Sequence, residues 1–141
     1  MATEITLAGF PLQTTDKVRY ADTDRQGHVN NAVFSTFLET GRVELLYSTS
    51  CPLSDAASEF VIVKLSLEFR AEIRWPGTVQ IGTRVASISR SSVTLEQAVF
   101  QGEQCAAVAE TVIVLIDGQT RRSTPLSVEA VAKLRRAMGN P

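Results

Sequence analysis

The chain has 141 residues, 44% of them hydrophobic, and 14 Lys and Arg stand against 15 Asp and Glu for a net charge of −1. That length suits a single domain, residues 1–141, built on one core. The charge balance argues against wrapping nucleic acid or sitting on an anionic membrane. The longest aliphatic run, residues 112–116, is far too short to cross a bilayer, and the start MATEITLAGF lacks the layout of a leader, so the expected location is the cytoplasm. Cys51 and Cys105 have no second cysteine or histidine at metal-ligand spacing and are expected as free thiols, with no structural zinc.

Lys17 to Tyr20 read as a short first strand running into the polar stretch ADTDRQGHVNN, residues 21–31. From Asn31 the period becomes helical: Val33, Phe34, Phe37, Leu38, Leu45 and Leu46 share one face, which predicts a helix over 31–47 with Asn30 as its cap. Gly41 inside that helix costs about 1 kcal/mol relative to alanine, and close approach of another backbone would explain it. Residues 48–60 are small and polar and suit a loop.

The period then switches to two. Val61, Val63, Leu65, Leu67 and Phe69 alternate with Ile62, Lys64, Ser66, Glu68 and Arg70, as in a strand with one face buried. Pro76 and Gly77 mark a turn. Val79, Ile81 and Val85, then Val93, Leu95 and Val99, continue the alternation. Residues 105–116 are the most apolar strand candidate and are expected near the middle of the sheet. A tail from Ser127 to Met138 carries Val128, Val131, Leu134 and Met138 at helical spacing. One long helix followed by an antiparallel meander predicts an α+β domain whose sheet curls around the helix. A single helix leaves apolar surface and an open edge, which dimerisation through the sheets would cover.

The polar stretch holds the sole histidine. Asp24 precedes His28 by four residues, and the predicted helix start lies just beyond. A helix N-terminus offers unpaired N–H groups and partial positive charge to an oxygen that is becoming negative. A carboxylate opposite those donors can attack a carbonyl carbon or deprotonate a water that does. Gly27 would let backbone approach the substrate closely. Capping alone also gathers Asx residues at helix starts, and Asp22 reads as structural, closing an Asx turn.

The run RYADTDRQGHVNNAVFSTFLETGR, residues 19–42, resembles the signature of the hotdog-fold acyl-CoA thioesterases of the 4-hydroxybenzoyl-CoA thioesterase type. The resemblance implies the hotdog fold, hydrolysis of an acyl-CoA without a cofactor, and a homodimer or homotetramer. It places the catalytic carboxylate on Asp24 and the carbonyl-polarising N–H on Asn31; His28 has no universal counterpart in the family and is assigned a supporting role, orienting Asp24 or the attacking water. It also places the coenzyme A phosphates at the turn after the third strand, on Arg90 with Ser91 and Ser92. The alternatives are a non-catalytic acyl-CoA binding module and an acyl-carrier-protein thioesterase.

Two other branches of the fold fit less well. One takes its carboxylate from the helix nine residues after a histidine, where this chain has Phe37. Glu39, two positions further, is expected to pair with Arg42. The hydratases place a proline between an aspartate and histidine five apart, which this chain lacks. Gly82–Thr83 stands where many relatives carry glycine–aspartate, and Phe34 where many carry an aromatic hydroxyl.

Overall fold

The computed structural model describes residues 4–47 and 53–139. In chain order these form β1 (Leu12–Val18), α1 (Asn31–Leu46), β2 (Ser58–Phe69), β3 (Gly77–Ile88), β4 (Ser92–Gln101), β5 (Gln104–Asp117) and α2 (Val128–Arg136). Short 3-10 turns occupy Leu7–Gly9 and Tyr20–Asp22. The strands make one antiparallel sheet in the order β1-β3-β4-β5-β2, and α1 packs across β1, β3 and β4. This is the α+β hotdog arrangement, a sheet wrapped around a long helix. Among the described residues no helix is long and apolar enough to cross a membrane.

α1 begins where its capping chemistry says it should. The Asn30 side chain accepts from the Ala32 N–H at 3.0 Å, and the helix then buries Phe34, Phe37, Leu38, Gly41 and Leu45 along one stripe. Burying a side chain such as Phe37 or Leu38 contributes about 2–3 kcal/mol. Gly41 marks the closest crossing. A Cβ there would lie 2.7 Å from Ile81 Cγ2, 2.9 Å from Gln97 Nε2 and 2.9 Å from Thr83 Oγ1. The close approach expected at Gly41 is therefore made by strand side chains and not by another backbone. Gln97 Nε2 fixes the crossing by donating to Leu38 O and to Thr83 Oγ1, each at 3.0 Å.

Val79, Ile81 and Val85 of β3 and Val93, Leu95 and Val99 of β4 are buried, as their alternation predicts. Some expectations need correction. β1 begins at Leu12, well before Lys17, because an edge strand exposing every second residue carries little apolar signal; Tyr20 belongs to a 3-10 turn. β5 is an interior strand beside the central one, β4, as expected. In α2 the buried positions are Ala130 and Leu134, while Val128 is exposed. Glu39 and Arg42 are not among the ion pairs of the described residues; burial pushes the Arg42 guanidinium down and the Glu39 charge opposes this.

β2 departs furthest. It is the sheet edge, which α1 meets at Phe69 through Phe34, and Ile62, Val63, Leu65 and Phe69 are all exposed. A register shift between Ile62 and Lys64 also breaks the alternation. Ile62 and Leu65 therefore share the helix-side face with their core partners Ile113 and Thr111, and Val63 is the bulged residue. Cys105 is a free thiol, and burial pushes its ionisation up. Cys51 and the first part of the 48–60 loop lie outside the described residues.

Candidate active site

The stretch between β1 and α1 folds into a compact turn. Thr23 bridges Val29, the Asp24 N–H donates to His28 O at 2.9 Å, and the Gly27 N–H donates to Asp24 O at 3.0 Å. Gly27 has φ +88°, a left-handed conformation that other residues adopt only with strain, and open space lies over its Cα. The turn is tied down on both sides. The Val29 N–H donates to Ile73 O at 2.8 Å, and the Asn30 N–H donates to Asp22 O at 2.8 Å.

The two aspartates have different surroundings. Asp22 is buried and structural: it accepts from the Arg19 N–H at 2.8 Å and from Arg19 Nη2 at 2.9 Å. The Asx turn expected of Asp22 belongs to Asp24, whose Oδ1 accepts from the Gln26 N–H at 2.9 Å. Asp24 is only partly buried, and among the described residues its Oδ2 has no partner. One oxygen is thus held by the backbone while the other is unpartnered among the described residues. Asn31 occupies the first helical position, so its N–H lies outside the intrahelical ladder.

His28 is brought to this turn but faces Glu72, with Nε2 3.2 Å from Oε1. Glu72 Oε2 takes Arg74 Nη2 at 2.9 Å. Arg74 in turn is clamped by Gln101, which accepts from its N–H at 2.9 Å and donates to its carbonyl at 2.8 Å. His28 therefore holds Asp24 through a backbone carbonyl, with its ring anchored to the strand connection. Glu72 escapes sequence reasoning because nothing in its local pattern distinguishes it from a solvated turn residue.

Arg90, Ser91 and Ser92 form the turn between β3 and β4, where Ser89 Oγ and Ser92 Oγ lie 2.5 Å apart. This turn is at the far end of the sheet. Val18 and Gly77 pair near the Asp24 loop, and β3 has 12 residues, so Ile88 lies roughly 35 Å along the strand. Asp24, Gly27, His28 and Asn31 are brought together; Arg90, Ser91 and Ser92 are not, within one chain. A groove of about 970 Å³ lies on the sheet face opposite α1, lined by Phe10, Arg84, Glu96, Val108 and Met138, away from Asp24. Among the described residues no three His, Cys, Asp or Glu side chains are placed to hold a metal ion.

Residues 18–134 match the family model of the thioesterase-like superfamily. The chain belongs to that superfamily. It is a thioester hydrolase. Over 124 residues it is 27% identical to the acyl-CoA thioester hydrolase YbgC of Escherichia coli O6:H1, covering 84% of this chain and 92% of that protein. It is 32% identical over 88 residues to the chloroplastic acyl-acyl carrier protein thioesterase ATL2 of Arabidopsis thaliana, covering 60% of this chain and 47% of that one. The crystal structure of a Thermus thermophilus thioesterase complexed with coenzyme A and Zn superposes with a TM-score of 0.81 at 29% identity, covering 94% of this chain and 98% of that chain.

Proposed function

We propose that the protein hydrolyses acyl-CoA thioesters at the Asp24 turn. The observation that carries this reading is the pairing of a half-held carboxylate with a helix start in one compact loop: Asp24 Oδ1 is fixed, Oδ2 is unpartnered among the described residues, and Asn31 begins α1. The thioester carbonyl oxygen accepts from the Asn31 N–H, which gains strength as the carbon becomes tetrahedral and the oxygen takes negative charge. Oδ2 either attacks the carbon or takes a proton from a water that attacks it. Collapse of the oxyanion breaks the carbon–sulfur bond and releases CoA. In the first route a mixed anhydride remains for water to hydrolyse; in the second the free acid forms directly, and the proton passes to the departing thiolate.

Asp24→Asn keeps an oxygen for the Gln26 N–H but removes the base and nucleophile. It is expected to lower kcat for release of free thiol from acyl-CoA by about 10²–10⁴-fold, while calorimetry still shows CoA binding. Unchanged turnover would remove Asp24 from the mechanism, and binding without turnover in the unmodified protein would make this a non-catalytic acyl-CoA module. The likeness to the Arabidopsis protein favours acyl-carrier-protein thioesters as a second substrate class, which comparison of kcat/KM on the two thioesters tests.

The functional unit we assign is a homodimer joined along β2. Its exposed apolar side chains and open edge sit beside the site, since Phe69 of β2 meets Phe34 in the first turns of α1 edge to face at 5.0 Å.

A further inference from the structure

Next to the Asp24 turn, two large aromatic residues stand exposed. Tyr20 precedes the turn and is 72% exposed; Trp75 follows Arg74, the bridge partner of His28, and is 45% exposed. Their rings meet edge to face, with centroids 5.1 Å apart and planes at 68°. An edge-to-face pair leaves ring faces uncovered, whereas a stacked pair would consume two of them. Nothing in the fold requires this pair, since neither residue belongs to a core cluster.

Arginines flank both rings. Arg19 adjoins Tyr20 and uses Nη2 on Asp22; Arg74 adjoins Trp75 and uses Nη2 on Glu72; both guanidinium groups are mostly exposed. Arg25, in the turn itself, has no partner among the described residues. A guanidinium carries five N–H donors, so each retains donors for an anion despite the neighbouring carboxylates of Asp22 and Glu72. Exposed aromatic faces bordered by arginine suit a flat base attached to phosphates.

We propose that Tyr20 and Trp75 form the platform for the adenine of coenzyme A, with Arg19, Arg25 and Arg74 around its phosphates. This rests on the acyl-CoA reading above and deepens it, because an adenine platform selects CoA over a carrier protein. Reach supports it. The pantetheine arm spans on the order of 15 Å, like roughly four or five extended residues, so a thioester at Asp24 keeps its nucleotide at this end of the sheet. The same chain's Arg90 lies beyond that span.

Trp75 is the sole tryptophan, so its fluorescence reports the site directly. Titration with free CoA or adenosine 3′,5′-bisphosphate is expected to quench it, and pantetheine is not. Tyr20→Ala is expected to raise KM for an acyl-CoA about 5- to 100-fold relative to the matching N-acetylcysteamine thioester, with Tyr20→Phe restoring the ratio. No quenching by CoA, equal quenching by pantetheine, or equal KM changes on both esters would overturn the proposal. So would a KM ratio that responds to Arg90→Ala and not to Tyr20→Ala, which would move the nucleotide to the β3–β4 turn of a neighbouring subunit. Free-CoA quenching needs no turnover, so it stands or falls separately from the assignment of hydrolysis.

Discussion

The carboxylates of Asp24 and Asp117 are each held by the backbone through one oxygen, and their settings separate them. Asp117, at the end of β5, accepts from the Thr120 N–H at 2.8 Å and the Gln119 N–H at 2.9 Å, both on Oδ1, and these bonds hold its pKa below the ordinary 3.8. A lowered folded pKa stabilises the fold above the unfolded value, and that contribution disappears as pH falls through the folded one. The melting temperature should therefore drop below pH 4 more steeply in the unmodified protein than in Asp117→Asn, measured by circular dichroism between pH 5 and 2; parallel curves would remove Asp117 from the acid limb. Asp24 is also half claimed by the backbone, through the Gln26 N–H. Its setting differs from that of Asp117 because α1 starts seven residues later. The sequence reveals that contrast for Asp24, since DTD, Gly27 and Asn30 are local signals. Glu72 and the Tyr20–Trp75 contact are not legible in it, because they join segments that only the folded sheet brings together.

At the level of elements, the inner strands were legible and the edges were not. β3 and β4 bury one face against α1, so Val79, Ile81 and Val85 and then Val93, Leu95 and Val99 alternate in the sequence, although Ala98 and Phe100 are buried as well, in a cluster with Phe10. β1 and β2 lack that constraint: β1 hides in a polar alternation, and β2 keeps apolar side chains exposed, with Phe69 meeting α1 through Phe34. Gly41 was visible as an anomaly because an exposed helix would carry alanine there, gaining about 1 kcal/mol. In this helix the gain should reverse. A Cβ at 2.7–2.9 Å from Ile81, Thr83 and Gln97 meets stiff, buried neighbours, and overpacking of this kind costs about 1–3 kcal/mol. Gly41→Ala should melt several degrees lower with a parallel loss in denaturant midpoint. An equal or higher melting temperature would show that α1 can lift from the sheet without penalty.

The whole molecule has an asymmetry that one copy does not resolve. α1 covers β1, β3 and β4, leaving the far edge of the sheet with the 12-residue strand β2 and its row of exposed apolar side chains. An edge of that length presents unpaired N–H and C=O groups to any strand that approaches, and the bulge at Val63 interrupts it only once. Lys64 and Glu110 pair across the outer face, whereas Ile62, Leu65 and Phe69 form an uncharged helix-side face, so a second copy of β2 run antiparallel would place apolar groups against apolar groups. Introducing charge there should separate the copies without touching any of the three core clusters. Ile62→Lys with Leu65→Lys is expected to sediment as a monomer at micromolar concentration and keep its circular dichroism spectrum. Thioester hydrolysis should fall with it, because Phe69 ties this edge to the first turns of α1 and hence to Asn31. A variant that still sediments as the unmodified protein does would place the interface elsewhere; full activity in a true monomer would mean that each chain carries a complete site.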